Sequence, residues 1–313
     1  MRRNHAFLLL FLLLSTVIAF GWGDEGHKLI NRTAANAVPA DMPAFFKAGT
    51  EIIVYNGPEP DRWREKELEP SLKWSQEPDH YIDLERVSDI GQFPLSRYEF
   101  IRWAYAKRVR TLNNADDFLP EKIGFQPWIT AEIYGRLKVA FRQYRILKAA
   151  GKPTAPAEHD ALFYAGWLGH YVADGANPLH TTVQHNGWTG DNPNGYTTEK
   201  IHWPIESDFV NKNLAKIDPA GMVKAPSKLA DPFNDYIIYL KSSFTLVEPL
   251  YQIEKRGGFN ESGSDEAREF FRKQFAAGSQ MLLNLWYTAW VDSEKMPEPY
   301  RPAPPKPADP AKK

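Results

Sequence analysis

The sequence predicts an all-α protein, a single compact multi-helix domain with long polar loops. Three segments repeat their apolar residues three or four positions apart, which is the period of an amphipathic helix. These segments lie within residues 131–150, 162–172 and 264–290. The alternation of apolar and polar residues that is typical of strands is almost absent. Packed helices joined by irregular connections are therefore the expected architecture.

Each predicted helix has its own signal. In the first two segments the recurring apolar positions define one face of a helix. In the last segment, Ser264 precedes Asp265 and Glu266, and a serine followed by acidic residues is typical of a helix N-terminus. Connections rich in glycine, proline and asparagine occupy residues 56–60, 187–195 and 257–263.

The two ends of the chain differ from its middle. Two arginines precede an apolar stretch over residues 6–20, and the small residues Ala19 and Gly21 are of the kind that precede a signal-peptidase cut. The stretch is too short to span a bilayer as a helix. We therefore expect an exported protein, periplasmic or secreted after cleavage before Trp22. The predicted organisation is a signal peptide over 1–21, a functional domain over 22–295 and a proline-rich, disordered tail over 296–313.

Charge and cysteine content narrow the function classes. Without residues 1–21 the chain has 36 basic against 39 acidic residues, a net charge of −3. A chain with this balance has no basic field for gripping duplex nucleic acid. It contains no cysteine, which excludes disulfides and a thioether-linked lipid anchor. We expect no membrane-spanning segment and no stable protein partner.

Five histidines lie in short strings that also contain carboxylates. The strings are WGDEGH (22–27), PDHYID (78–83), HYVADGANPLH (170–180) and IHWPIE (201–206), and Asp61 precedes the second of them. His170 and Asp174 are four residues apart, so both side chains project from one face of a helix. His202 and Glu206 repeat this spacing on a second helical segment.

The combination of ligand types indicates a metal. Imidazole and carboxylate ligands without thiolates are typical of a catalytic zinc site that keeps one position open. A single His/Asp pair at helical spacing is more often a surface salt bridge. Several such pairs on apolar segments are a different case, because charged groups there are costly unless they are paired or bound to a metal. We interpret the set as a metal centre.

Together these strings resemble the superfamily of zinc-dependent phospholipases C and single-strand-specific, mung-bean-type nucleases, over residues 22–290. The resemblance implies three Zn²⁺ ions per chain in a trinuclear site. One zinc would be held by Asp61, His80, His170 and Asp174, and the next by His180, His202 and Glu206. The third would be held by the terminal amine and carbonyl of Trp22 together with His27, and it would share Asp174 with the first.

The resemblance also implies the chemistry. Two zinc ions would hold a bridging hydroxide for in-line attack on phosphorus. Arg64 and Asp83 match positions near the scissile phosphate, so we assign Arg64 to transition-state charge and Asp83 to orienting the nucleophile or Arg64. Tyr81 matches an aromatic residue that stacks on a nucleobase in the nuclease branch. Without the resemblance, ordinary salt bridges and packing would explain these three residues.

The favoured prediction is the nuclease branch. We therefore expect the protein to be an endonuclease that hydrolyses single-stranded DNA or RNA to 5′-phosphorylated products. It would also have 3′-nucleotidase activity, so its substrate would be a single strand or a nucleotide. The step from Trp22 to His27 and the long loop between His180 and His202 favour it. Glu206 departs from it, because the phospholipase branch usually has glutamate there. A phospholipase C that acts on phospholipid head groups is therefore the alternative. A non-catalytic exported zinc-binding protein is the second alternative, and it would need closed coordination spheres.

Overall fold

The molecule is built from helices that surround one central helix. The computed structural model describes residues 23–260 and 262–296. Its α-helices are α1 (Gly23–Asn36), α2 (Ala44–Ala48), α3 (Thr50–Tyr55), α4 (Glu59–Trp63), α5 (Pro70–Gln76), α6 (Arg97–Arg110), α7 (Pro120–Ile123), α8 (Gln126–Ala149), α9 (Ala155–Ala176), α10 (Val210–Asn213), α11 (Pro232–Phe244), α12 (Val247–Lys255) and α13 (Asp265–Asp292). Short 3-10 helices span Glu77–His80, Leu84–Val87, Ala115–Phe118, Pro178–Thr181, Leu214–Lys216 and Ala220–Met222, and a π-helix spans Pro204–Phe209. Within these described residues there is no strand, so the predicted all-α class is confirmed.

The three predicted helices correspond to α8, α9 and α13. The predicted cap of α13 is present, since Ser264 Oγ accepts a hydrogen bond from the Ala267 N–H at 3.1 Å. Helix α8 begins five residues before the predicted segment, with Pro127 in its first turn, where a proline gives up no helical hydrogen bond. The predicted connection over residues 56–60 is partly helical, because α4 begins at Glu59 and Pro60 is its second residue.

Helix α9 is the centre of the fold. Every residue from 168 to 182 is buried, which includes the last turns of α9 and the segment that follows it. Helices α1, α3, α8 and α13 all pack against α9. One continuous hydrophobic core extends along the chain from Ile30 to Ala289. Polar side chains in the last turns of α9 are therefore shielded from water on all sides.

Two glycines of α9 allow its neighbours to approach closely. A Cβ atom at Gly166 would lie 2.6 Å from the Ile53 carbonyl oxygen of α3, and one at Gly169 would lie 1.8 Å from Asn31 Oδ1 of α1. The Asn31 amide donates to the carbonyls of Ile53 at 3.1 Å and Gly166 at 3.2 Å, which ties the three helices together. His27 lies one turn before Asn31 on α1, so it contacts the buried face of α9 at His170.

The predicted chain ends are not part of the described structure. The signal peptide, Trp22 and residues 297–313 of the tail lie outside the described ranges, so the domain boundaries and the role of Trp22 stay predictions. Across residues 23–260 and 262–296, none of the helices combines the length and the apolar character needed to cross a membrane.

We predict that Gly169→Ala destabilises the protein by about 1 to 3 kcal/mol, the usual range for an overpacked core. The new methyl group would displace the Asn31 carboxamide, which cannot move without losing its two hydrogen bonds. Urea denaturation measures the change. The matched control is Gly135→Ala in α8, where a Cβ meets no atom within 4 Å and alanine should raise stability through helix propensity. Equal stability of the two variants would contradict this account.

Candidate metal centre

The structure brings the predicted ligand side chains together at the buried end of α9. They come from α1, α4, the 3-10 helices at 77–80 and 178–181, and the helical segment that begins at residue 202. Among the described residues, three groups of side chains could hold a metal ion, with all ligand atoms of a group within 4.8 Å of one another. These groups are His80 with His170 and Asp174, His180 with His202 and Glu206, and His27 with Asp61 and His170.

The first group contains three closely spaced ligand atoms, with Asp61 next to them. His80 Nδ1 lies 3.1 Å from Asp174 Oδ2 and 3.0 Å from His170 Nε2. His170 Nε2 lies 3.3 Å from Asp174 Oδ2, and Asp61 Oδ1 lies 3.8 Å from both imidazoles. A tetrahedral zinc with bonds of about 2.0 Å separates neighbouring ligand atoms by about 3.3 Å. Three of the side chains predicted for the first ion therefore form one group, and the fourth, Asp61, lies beside its two imidazoles.

The second group is a triangle of three ligand atoms. His180 Nε2 lies 3.2 Å from both His202 Nε2 and Glu206 Oε2, and His202 Nε2 lies 2.9 Å from the same carboxylate oxygen. His202 and Glu206 are helical as predicted, although the turn that carries Glu206 is a π-helix, a form often found at functional sites. Three ligands on one side would leave a bound ion open on the other.

His27 forms the edge of a third group. Its ring stacks on His170 with 4.0 Å between centroids, and its Nε2 lies 3.5 Å from Asp174 Oδ1. This is the pairing with Asp174 that the resemblance implies. The structure adds Asp61, whose Oδ2 lies 3.7 Å from His27 Nε2. Trp22, the other expected ligand, lies outside the described residues and directly precedes α1.

Backbone carbonyls orient three of the imidazoles. The Nδ1 atoms of His170, His180 and His202 contact the carbonyl oxygens of Gly57, His80 and His185 at 2.9, 2.8 and 3.0 Å. A ring that donates from Nδ1 has its Nε2 lone pair free, and Nε2 is the atom that faces the ligand groups. Histidines that bind metals are commonly held in this way.

The protonation states of His27, His80 and Asp174 suit metal binding, whereas burial raises the pKa of Asp61. Burial and the neighbouring His170 hold the pKa of His27 well below its ordinary value, and burial with Arg64 does the same to the pKa of His80. These rings are therefore neutral. Burial would raise the pKa of Asp174, but His170 and His180 outweigh it and hold that pKa well below its usual range.

The carboxylate of the second group is also ionised. Burial opposes its charge, but His202 and His180 lower the pKa of Glu206 below its ordinary value. Burial likewise opposes a charged His180, yet Asp174 and Glu206 raise the pKa of His180 to about 9. A cation at this position would therefore displace a proton from His180.

Several buried polar atoms have no hydrogen-bond partner. Those that belong to the ligand side chains are the two ring nitrogens of His27, Nε2 of His80, Oδ2 of Asp61 and Oδ1 of Asp174, and other unpaired atoms lie elsewhere in the described residues. Buried polar atoms in proteins are almost always paired, and a cluster of unpaired acceptors needs an explanation. A cation between Asp61, Asp174 and His27 supplies one, because it binds the unpaired oxygens and a neutral imidazole together. The residues present fit a metal.

The second ligand group and His80 open into a pocket of about 510 Å³. His80, His180, His202 and Glu206 form part of its wall, and Arg64, Tyr81, Asp83, Arg86, Asp117, Lys122, His185 and Trp203 line it as well. Arg64, Tyr81 and Asp83, which the sequence singled out, therefore share one space with the ligands. The structure does not pair Asp83 with Arg64: the Arg64 guanidinium is bound to Asp61 through Nε at 2.8 Å and Nη2 at 2.7 Å.

Residues of α7 and Gly124, which follows it, hold Tyr81 and Asp83 in the pocket wall. The Tyr81 hydroxyl donates to the Glu121 carbonyl at 2.7 Å. Gly124 packs against this ring with φ +99°, and a Cβ there would lie 2.8 Å from Tyr81 Cδ2. The Asp83 N–H donates to the Ile123 carbonyl at 2.7 Å, and burial, with Glu85 beside it, raises the pKa of Asp83 to about 7.

Sequence reasoning missed two buried amides that hold the ligands. Asn177 Nδ2 donates to Glu206 Oε2 at 2.9 Å, while its backbone accepts from the His180 N–H and donates to the Asp174 carbonyl. Gln126 Nε2 lies 3.2 Å from the His80 carbonyl. Asn177 stands within the string HYVADGANPLH, and that position was the available signal. Nothing in the sequence near Gln126 indicates its role.

Comparison of the chain with protein-family models, with curated proteins and with solved structures finds no match. The resemblance to zinc-dependent phosphodiesterases therefore rests on the motifs alone.

We predict that Asn177→Ala lowers zinc affinity at the second group roughly 10- to 100-fold, the usual effect of removing a partner that orients a ligand. Glu206 would lose its buried donor and rotate away from the two imidazoles. Competition with a chromophoric chelator measures the affinity. The control is Asn213→Ala, an equally buried asparagine that donates to the Phe209 carbonyl and touches no ligand group. Equal weakening in both variants would show that the loss is a general effect of destabilisation.

Proposed function

We propose that this protein is a zinc-dependent phosphodiesterase, and that its substrate is single-stranded DNA or RNA. One observation carries the proposal: ligand side chains from four separate strings of the sequence converge on adjacent groups, and the second of these groups, together with His80, lines an open pocket. A purely structural metal would be enclosed by four ligands. Here the second group has three side chains and faces the pocket, which is what a catalytic ion needs.

The proposed metal content is three zinc ions. Asp61, His80, His170 and Asp174 would hold one, His180, His202 and Glu206 the next, and His27 with Trp22 and a shared carboxylate the third. Bound zinc would supply Lewis-acid charge for a phosphodiester. Three carboxylates balance only half of the charge of three Zn²⁺ ions, so the pocket floor would attract an anion although the whole chain is slightly acidic.

Arg64 is proposed to act on the metal site and on the substrate. Its Nε and Nη2 groups keep Asp61 oriented toward His80 and His170. Burial opposes the guanidinium charge, but Asp61 and Asp174 raise the pKa of Arg64 above its ordinary value, so it stays charged. Its Nη1 group is left to contact a phosphoryl oxygen as negative charge develops.

Tyr81 and the cations near it support a nucleic-acid substrate. A tyrosine ring in the wall of the pocket can stack on any base, which suits single strands. Lys122 and Arg86 line the same pocket and can contact the phosphates on either side of the cleaved bond. Lys122 has no ion-pair partner within 4 Å among the described residues. The expected products are 5′-phosphorylated, and a terminal 3′-phosphate would be removed at the same site.

A phospholipase C is the second candidate, and Glu206 is the observation that favours it. The resemblance places glutamate at this position in the phospholipase branch, and the longer side chain reaches both imidazoles here. Both candidates use the same metal ligands. They differ in the part of the substrate that would lie against Tyr81. This part would be a base in a nuclease and a lipid head group in a phospholipase. A non-catalytic zinc-binding protein is the third candidate, and the open second group argues against it.

We predict that the zinc-loaded chain starting at Trp22 cleaves single-stranded DNA and RNA and leaves phosphatidylcholine micelles intact. The three substrates are incubated side by side, and products are measured by end-group analysis and by release of phosphocholine. His202→Ala should abolish turnover because it removes one ligand of the second group. His159→Ala is the matched control, since His159 is exposed and lies outside the ligand groups.

The outcomes separate the three candidates. Cleavage of the lipid alone would favour the phospholipase. Tightly bound zinc with no turnover of any substrate, including a chromogenic phosphodiester, would favour the non-catalytic protein. Full activity of His202→Ala would contradict the metal mechanism itself.

We predict that Asp83→Asn lowers kcat roughly 100-fold and raises stability at pH 8. Burial raises the pKa of Asp83 to about 7, whereas an aspartate in an unfolded chain titrates near pH 4. The contribution of Asp83 to stability is therefore present below about pH 4 and is lost as pH rises through about 7. In metal-free protein, asparagine should add up to about 4 kcal/mol to the unfolding free energy at pH 8 and nothing at pH 4.

Asp117→Asn is the control for this substitution. Asp117 lines the same pocket but is paired with Arg86 at 2.6 Å, so its removal should not stabilise the protein at pH 8. Urea denaturation at the two pH values and steady-state kinetics provide the measurements. An Asp83→Asn variant with unchanged kcat would show that Asp83 has no part in the reaction.

A further inference from the structure

Helix α6 has apolar residues on both of its faces. Phe100 and Ala104 point inward and are fully buried. On the opposite side, Tyr98 and Val109 expose 78% and 83% of their surface, and Leu112, just after the helix, exposes 98%. A surface helix of a soluble domain normally has a polar outer face. The outer side of α6 therefore lacks the partner that its composition calls for.

The exposed residues form a continuous stripe. Tyr98, Arg102, Tyr105 and Val109 are spaced four, three and four apart, which places them in line along one side of a helix. Leu112 extends the line beyond the helix end. We call these five residues the α6 outer face.

The outer face carries cations that the protein itself does not neutralise. Among the bases of α6, Arg97, Lys107 and Arg108 pair with acids on neighbouring segments. Arg102 lies within the outer face and Arg110 flanks it, and both are exposed. Neither has an ion-pair partner within 4 Å among the described residues. Apolar and cationic groups are therefore presented together.

We propose that the α6 outer face docks on the surface of an anionic phospholipid bilayer. Tyrosine rings are suited to the head-group level, aliphatic side chains enter the acyl boundary, and arginines bind lipid phosphates. A nucleic acid would use the rings and the arginines but would leave Val109 and Leu112 without contacts. A second copy of the chain would bury unpaired arginines against each other, which is unfavourable. This inference goes beyond the proposed function and does not depend on it.

The docked orientation places the pocket near the membrane. Helix α6 packs against the 3-10 helix at 115–118 and against α7. These two segments contribute Asp117 and Lys122 to the pocket wall. Docking through the outer face would therefore hold the two segments that carry Asp117 and Lys122 next to the membrane-bound helix.

Vesicle co-sedimentation of the zinc-loaded chain tests the proposal. The vesicles contain phosphatidylglycerol and phosphatidylcholine analogues with non-hydrolysable phosphonate head-group links, so that binding is measured without cleavage. Binding to mixed vesicles and none to pure phosphatidylcholine analogues is expected. Arg102→Gln and Arg110→Gln should each weaken binding roughly fivefold. The double variant Val109→Asp, Leu112→Asp should abolish it.

The controls use an exposed aliphatic and an exposed base elsewhere. Ile238→Asp on α11, with 61% of its surface exposed, and Lys152→Gln should bind as the unchanged chain does. Absence of sedimentation, or equal losses in the controls, would overturn the proposal. A dimer in vesicle-free solution that Val109→Asp dissociates would assign the face to a second copy. Binding of a phosphorothioate single strand that the same variants abolish would assign it to nucleic acid.

Discussion

The buried carboxylate of Asp174 organises the structure around it. Four imidazoles lie within 3.9 Å of its two oxygens, those of His27, His80, His170 and His180. An ionised carboxylate this far from water is costly unless its charge is compensated, so its position restricts every segment that packs nearby. Helix α9 supplies Asp174 and His170 itself. The remaining partners have to be delivered by other parts of the chain.

Helix packing positions these imidazoles next to Asp174. The glycines of α9 let α1 and α3 approach, and Asn31 locks that contact through two carbonyls. On the other side, Gln126 holds the carbonyl of His80, which in turn accepts from His180. Rigid helices and backbone carbonyls thus set the ligand positions, and such support keeps a site ready for an ion before it binds.

For the attraction of an anionic substrate or surface, the local distribution of charge matters more than the net charge of the chain. The chain is nearly neutral overall, yet its ligand groups would bind an excess of positive charge, and α6 presents two unpaired arginines. An anionic substrate or surface responds to these local fields, because charges further away than about 10 Å are screened by salt. Asp83, a buried acid with a pKa raised to about 7, adds a proton acceptor that is charged only near neutral pH and above. Such a group costs stability, as functional groups often do.

Local patterns in the sequence predicted the three long helices α8, α9 and α13 and two His/carboxylate pairs, whereas the complete ligand set was implied by the resemblance. The spacing from His170 to Asp174 and from His202 to Glu206 places each pair on one helical face whatever the fold, and Ser264 caps α13 through its own neighbours. These features depend on residues only a few positions apart. The all-α class followed from the same periodicity.

Only the tertiary structure decided how the separate strings meet. Asp61 lies 34 residues from His27 and 113 from Asp174, and its two oxygens reach both groups because α1 and α4 pack on α9. The pairing of Arg64 with Asp61, the support from Asn177 and Gln126, and the exposed side of α6 have the same origin. Contacts between distant segments depend on which surfaces become buried together, and no spacing along the chain encodes that.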